Sequence, residues 1–267
     1  MAERLKLIST EAARPVLPRF MQTETTADIL HSLRVVYQNP GDAVGLICGA
    51  PGVGKSEAVR HFANSAPCVR ILSAVCGEGG VWNFANELCR MLDIEEPNGR
   101  RLPEERRRIA EALGAESMLI IDEAQYLVQR NTRGKDDWSA FEWLRGMMEE
   151  GALSLVFCGD LTLRELQTVA PSLWRRMRRR NIILRAPKSD VEAVSARWQI
   201  ADPEAVKVLF EVARKGGGSL GDVVNICDEA RVMAGQGAIC LEHVLAAIED
   251  LKLLPIGSAP KSRGGRA

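Results

Sequence analysis

The sequence has few of the features that mark secreted or membrane-bound proteins. Its seven cysteines, Cys48, Cys68, Cys76, Cys89, Cys158, Cys227 and Cys240, form no C-x-x-C pair. Their odd number and irregular spacing argue against a disulfide framework and against a zinc site. Several lie in apolar runs, where a thiol behaves as a small hydrophobe. No apolar stretch approaches the ~20 residues that a membrane-spanning helix needs. The first twenty residues carry charges and two prolines but no apolar h-region. A cytoplasmic protein without a membrane partner is expected. Net charge is missing too: 35 Lys and Arg balance 35 Asp and Glu. Any DNA contact must therefore come from local basic patches. There is no internal repeat.

What is present is an ordinary globular composition, 46% hydrophobic and 26% charged over 267 residues, enough to bury a substantial core. Pro15 and Pro18 break an irregular arm, and Thr25 or Thr26 is placed to cap a helix running to about Tyr37. Apolar strand-like runs follow at Ala43–Cys48, Val69–Ala74, Met118–Ile121, Leu153–Cys158 and Ile182–Leu184. Helical patterns lie between them at Lys55–Asn64, Val81–Leu92, Glu104–Leu113, Trp138–Glu150 and Leu161–Ala170. This alternation predicts an α/β fold, a parallel sheet with helices on both faces. After Pro187 the pattern becomes helix only, at Ser189–Trp198, Pro203–Arg214, Leu220–Met233 and Leu241–Leu251. The expected organisation is an N-terminal arm and helix (1–41), an ATPase core (42–187), a helical lid (188–254) and a flexible basic tail (255–267).

Gly49-Ala50-Pro51-Gly52-Val53-Gly54-Lys55-Ser56 fits G-x-x-x-x-G-K-[ST] between a strand and an amphipathic helix. Glycines let backbone N–H groups turn inward around phosphate oxygens, and the helix N-terminus adds positive potential. Gly49, Pro51, Gly52, Val53, Gly54, Lys55, Ser56 and Glu57 are the candidate ATP-binding residues. Lys55 is suited to the β- and γ-phosphates and the Ser56 hydroxyl to Mg²⁺. Met118-Leu119-Ile120-Ile121-Asp122-Glu123 is an apolar strand ending in two carboxylates, a Walker B arrangement. Asp122 is the candidate Mg²⁺ partner and Glu123 the candidate to polarise the attacking water. A strand ending in a solvated acidic turn is the bland alternative. After the next strand, Asp160 is a candidate contact to the γ-phosphate or water; a helix N-cap is an equally good reading.

Trp174-Arg175-Arg176-Met177-Arg178-Arg179-Arg180 is the densest basic run. It reads as an arginine finger toward a neighbouring subunit, as a DNA-phosphate contact, or as a solvated turn. One finger, with the remaining arginines shared between interface and solvent, is expected. Arg178 and Arg179 join Arg130, Arg133 and Lys135, from the polar loop after the acidic strand, as candidate DNA contacts. Arg100, Arg101, Arg106, Arg107 and Arg108 lie among glutamates and read as a salt-bridged helix face. Trp82 is expected in the core.

With these motifs in view, the chain resembles the phage Mu transposition protein B (MuB) family of AAA+ ATPases. More distantly it resembles transposon target-selection ATPases of the TnsC and TniB type. The likeness runs through Pro18-Arg19-Phe20, Glu24-Thr25-Thr26, the phosphate loop with Glu57-Ala58, and Ile120-Ile121-Asp122-Glu123-Ala124. It continues through Ser189-Asp190-Val191 and Trp198-Gln199-Ile200. The resemblance implies a AAA+ P-loop fold with a parallel five-stranded sheet and a small all-helical lid. It also implies ATP and Mg²⁺ as cofactors and ATP-dependent binding of double-stranded DNA without sequence preference. Self-association into oligomers or helical filaments and delivery of target DNA to a DDE transposase are implied as well. By position Arg176 matches the family's finger-like arginine. Gly221 stands where the family carries a lid arginine, which implies slow hydrolysis. The family begins with a helix-turn-helix domain that the arm is too short to hold, so DNA contact is expected from the ATPase core. Two further functions stay open: a helicase-loader-like ATPase of the DnaC or IstB type, and a weakly hydrolysing nucleotide switch that binds a protein partner.

Overall fold

The computed structural model describes residues 20–130, 134–215 and 219–253. The arm at 1–19, Arg133, the glycines 216–218 and the expected tail at 255–267 lie outside the described residues. Helix α1 (Glu24–Tyr37) leads into β1 (Val44–Gly49), α2 (Lys55–Ser65), β2 (Val69–Ser73), α3 (Val81–Met91), α4 (Leu102–Leu113) and β3 (Met118–Asp122). A small antiparallel pair, β4 (Gln129–Arg130) and β5 (Asp136–Asp137), precedes α5 (Ser139–Gly151) and β6 (Ser154–Gly159). Then come α6 (Leu166–Val169), α7 (Pro171–Arg176), β7 (Met177–Ile183) and the helices α8 (Lys188–Arg197), α9 (Pro203–Lys215), α10 (Leu220–Ala234) and α11 (Leu241–Asp250).

The five strands are parallel in the order β2-β3-β6-β1-β7. Strands buried on both faces need no polar alternation, which is why they read as continuous apolar runs. Successive side chains still go to opposite sides. Leu46, Leu119, Ile121, Leu155 and Phe157 pack with α3, α4 and α5, whereas Ile47, Ile120, Val156 and Cys158 pack with α1 and α2. The four C-terminal helices close around a third core of their own, centred on Val191, Leu209, Val223 and Ile226. After β1 the chain crosses by α2 to the sheet's edge at β2, whereas β6 leads over β1 to β7 at the other edge. The end of β1 is therefore a crevice between diverging connections, the usual ligand position in an open parallel sheet.

Four local expectations are corrected. Thr23, not Thr25 or Thr26, caps α1; its side chain accepts from the Thr26 N–H while the Thr26 hydroxyl accepts from the Thr23 N–H. The segment 161–170 is not one helix. A 3₁₀ turn, Leu161–Glu165, runs into α6 and stops at Ala170 (φ −135°), because Pro171 disfavours a helical residue before it and then starts α7 itself. Trp82 is 43% exposed; it sits off the buried Phe84–Ala85–Leu88–Cys89 stripe of α3 and lies against Gly99. The arginine run precedes the last strand only in part: Arg175 and Arg176 end α7, whereas Arg178, Arg179 and Arg180 belong to β7 itself. Charges on an edge strand discourage pairing with a stray strand.

Candidate nucleotide-binding site

β1 delivers Gly49 to the crevice, and residues 50–54 turn back over the strand end into α2. Gly52 and Gly54 hold φ of +70° and +89°, where a side chain is strained. A Cβ on Gly49 would lie 2.6 Å from the Ile183 carbonyl oxygen. The motif's three glycines are thus required by conformation or close approach. Val53 is fully buried and anchors the loop. Lys55 opens α2 and folds back across the loop, its ammonium donating to the carbonyls of Gly49 (2.9 Å) and Ala50 (2.8 Å). The orphan N–H groups of the first turn of α2 and its positive pole face the same space. A cradle of this kind suits the phosphates of a nucleotide.

The acidic strand ends beside it. Asp122 is buried and its carboxylate accepts the Glu123 N–H at 3.1 Å. On neighbouring β6, burial first and Asp122 second push the Cys158 thiol well above its usual pKa, so it stays protonated beside that carboxylate. Burial likewise raises Cys48, to about 11. Glu123 leaves the strand at φ +53°, a left-handed conformation that costs a non-glycine residue on the order of 1–3 kcal/mol and is concentrated at functional sites. Its side chain is exposed, and its Oε2 accepts from Gln125 Nε2 at 2.5 Å.

These groups form one wall of a cleft of about 770 Å³, within the range of small-molecule sites. Pro51, Gly52, Gly54, Lys55, Ser56, Glu57 and Glu123 all line it. Gly49, Val53 and Asp122 lie one layer behind. The other wall comes from residues that sequence reasoning did not assign to the site: Met21 and Thr23 before α1, and Trp198, Val224, Asp228 and Arg231 of the lid. Trp198 is fixed by its indole N–H on Asp228 (3.1 Å) and by Arg231, which donates to the Trp198 carbonyl (2.9 Å). At the seam, the Gly221 N–H donates to the Gly52 carbonyl at 3.0 Å. The start of α10, capped by Ser219, therefore rests on the phosphate loop itself.

Other expected residues lie elsewhere. The Asp160 carboxylate caps the 3₁₀ turn, accepting from the Thr162 N–H (2.9 Å) and hydroxyl (2.5 Å), while its own N–H donates to Gln125 Oε1 (3.1 Å). Arg176 ends α7 and pairs with Glu149 at 2.6 Å. Met177, the next residue, is in register with Val44, at the far end of β1 from the phosphate loop, about 17 Å away at ~3.3 Å per residue. Arg178 pairs with Asp42, and Arg179 reaches Ser32 and Asp28. They are on the β7 edge, whereas Lys135 is in the β4–β5 loop after β3, so one copy does not bring the candidate DNA contacts together. Arg130 is in β4.

A family model described as an AAA domain matches residues 38–167, and one described as Mu B transposition protein, C terminal, matches residues 175–251. The Mu-like prophage FluMu DNA transposition protein B of Haemophilus influenzae is 29% identical over 209 residues, 75% of this chain and 69% of that protein. The ATP-dependent target DNA activator B of Escherichia phage Mu is 28% identical over 212 residues, 77% of this chain and 64% of that protein. The chain thus spans about two thirds of the length of these relatives. Among solved structures, Cdc6p of Pyrobaculum aerophilum superposes with a TM-score of 0.62 at 16% identity, over 88% of this chain and 69% of that one. Domain III of the Thermotoga maritima replication initiator DnaA gives 0.52 at 18% identity, over 87% and 94%. The fold, phosphate loop and lid define a AAA+ P-loop ATPase. Within that class the chain is similar to Mu B transposition proteins, in the C-terminal region that their family model matches and over three quarters of its length in the two relatives.

Proposed function

We propose that this protein binds double-stranded DNA in an ATP-dependent, sequence-non-specific way and delivers it as target to a DDE transposase, with ATP hydrolysis resetting the complex. The observation that carries the reading is the pairing of an intact phosphate loop and Asp122–Glu123 strand end with a likeness, through core and lid alike, to a protein named an ATP-dependent target DNA activator. Residues 42–187 act as the core and 188–254 as the lid. Lys55 and the loop N–H groups hold the phosphates; Ser56 and Asp122 hold Mg²⁺, which when bound offsets charge on the phosphates. Glu123 positions and polarises the attacking water. Asp160 orders the end of β6.

Arg176 cannot serve its own site from the far end of the sheet. In an oligomer or helical filament it reaches the neighbour's γ-phosphate, exchanging a half-exposed pair with Glu149 that is worth little in water. Lys135, Arg178 and Arg179, with Arg130 and Arg133, supply DNA contacts summed over several copies. DNA affinity is then a phosphate-contact property. It is expected to require ATP, to ignore sequence, and to fall steeply between low and physiological salt. Gel-shift titrations of unrelated duplexes with and without ATP test this; a footprint on one defined sequence, or binding indifferent to salt, overturns it. Gly221, contacting the loop through its backbone alone, favours a second reading: a slowly hydrolysing nucleotide switch with a protein partner. Binding of DNA regardless of nucleotide, with nucleotide-dependent capture of the purified transposase, would favour that one.

A further inference from the structure

We propose that Gln125 is a positioning residue for ATP hydrolysis, an amide clamp that fixes Glu123 and ties it to the end of β6. The proposal rests on the reading of Glu123 as the group that polarises water. Gln125 stands two residues beyond Glu123 in the 3₁₀ turn Ala124–Leu127. Its Oε1 accepts the backbone N–H of Asp160 at 3.1 Å, and its Nε2 donates to Glu123 Oε2 at 2.5 Å. The orientation of the amide is not arbitrary. A backbone N–H can only donate, so the oxygen must face Asp160 and the NH₂ must face the carboxylate. A Gln turned the other way would leave two donors opposed at one end and two acceptors at the other.

Two independent features fit this role. A Cβ on Gly159 would run into the Gln125 amide oxygen, so the glycine that ends β6 leaves the space in which the clamp lies. Glu123 itself is held at φ +53° while lining the cleft. A carboxylate on a strained, exposed turn keeps one orientation only if something outside its own backbone holds it. One oxygen is bound by Gln125, which leaves the other for water. The bridge also links the ends of two adjacent strands, β3 and β6, the second of which lies beside β1 and its phosphate loop, so displacement at Asp160 is passed to Glu123.

The test is steady-state ATP hydrolysis by the full chain, with ATP affinity measured separately by calorimetry. Gln125→Ala is expected to lower kcat about tenfold, the effect of losing one charge-assisted bond, with KM and ATP affinity unchanged. Gln125→Glu keeps an acceptor for the Asp160 N–H but faces Glu123 with a like charge. It is expected to lower kcat further, again without changing KM. Gly159→Ala is expected to reproduce the Gln125→Ala loss by displacing the clamp, and the double variant to be no slower than Gly159→Ala alone, since coupled residues are not additive. Wild-type kcat in Gln125→Ala and Gln125→Glu, a rise in kcat, or a change confined to KM overturns the clamp. Glu123→Gln is the separate control. If it hydrolyses ATP at the wild-type rate, the reading of Glu123 has failed; if it is inactive while the Gln125 variants are normal, only the clamp has failed.

Discussion

The two walls of the cleft are built on opposite plans. Apart from Glu123 at the end of β3, the core wall is one continuous segment, Pro51 to Glu57, whose glycines, lysine and helix start do their work within a single turn of chain. The lid wall is assembled from separate stretches, with Trp198, Gly221, Asp228 and Arg231 set in place by the packing of α8, α9 and α10 and by bonds between helices. The core wall presents a cation to the phosphates; at the corresponding lid contact a backbone N–H meets the loop's own carbonyl. Phosphate contacts can thus be concentrated on the core wall, and at the Gly221 seam the lid adds no counter-charge for hydrolysis.

If a neighbouring copy supplies that charge, Arg176→Ala is the variant with the largest effect. It should bind ATP normally yet lose the rise in specific activity with protein concentration, by the ~10³-fold or more that a finger in trans contributes. Mixing it with Glu123→Gln should restore some turnover, because each copy completes the other's site. Flat specific activity across concentration, with a fully active variant, would falsify the trans finger. Next comes Lys55→Ala, which should weaken ATP binding by at least about a hundredfold in calorimetry, since it removes the charge-assisted contacts of the core wall, while the melting curve stays two-state. Unchanged affinity would remove the phosphate loop from the assignment.

Gly221→Arg sharpens the contrast by adding a cation where the lid meets the phosphate loop. A Cβ there would meet only ordinary contacts, the Ser219 hydroxyl at 3.5 Å and Gly52 Cα at 3.9 Å. ATP should bind about fivefold more tightly, roughly 1 kcal/mol, and weaker binding would mean that this position does not face the nucleotide. The smallest effect is reserved for the core alone. Arg106 bridges Glu150 through two bonds, 3.0 and 2.5 Å, joining α4 to α5, and the hydrogen bond holds the Glu150 carboxyl below its usual pKa. A depressed carboxylate stabilises above its unfolded pKa and loses that contribution as pH falls through the folded one. Glu150→Gln should therefore cost at most about 1 kcal/mol near neutral pH, and the gap in Tm from the wild type should close in acid. A gap that widened in acid would reverse the sign of the coupling.

The same division governs what could be read in advance. The phosphate loop, the acidic strand and the α/β alternation are local: periodicity and a few fixed spacings express them, because both faces of the three central strands, β1, β3 and β6, and one stripe of the amphipathic helices are buried. Gln125 was within reach of such reading, two residues past Glu123 in the same turn, but only the return of Asp160 beside it reveals a use. Asp160 reads equally from sequence as a contact to phosphate or as a cap, and its carboxylate is engaged in capping. In the sequence only the apolar stretch Ile182–Leu184 reads as strand, with the arginines before it; Arg178 to Arg180 can sit in the strand because β7 is an edge with one neighbour. Trp82 looked like core by residue type and is outside it by helical phase.

By itself the sequence determined that this chain builds a phosphate cradle, an Asp–Glu strand end and a helical C-terminal unit, since each follows from short-range backbone conformation and burial pattern. Only the tertiary structure decided that Gly221 rests on Gly52, that Trp198 and Asp228 face the cleft, that Gln125 spans Glu123 and Asp160, and that Arg176 stands at the opposite end of the sheet from the phosphates. Those pairs are separated by up to well over a hundred residues in the chain. Their meeting depends on strand order and helix packing, which no spacing in the sequence records.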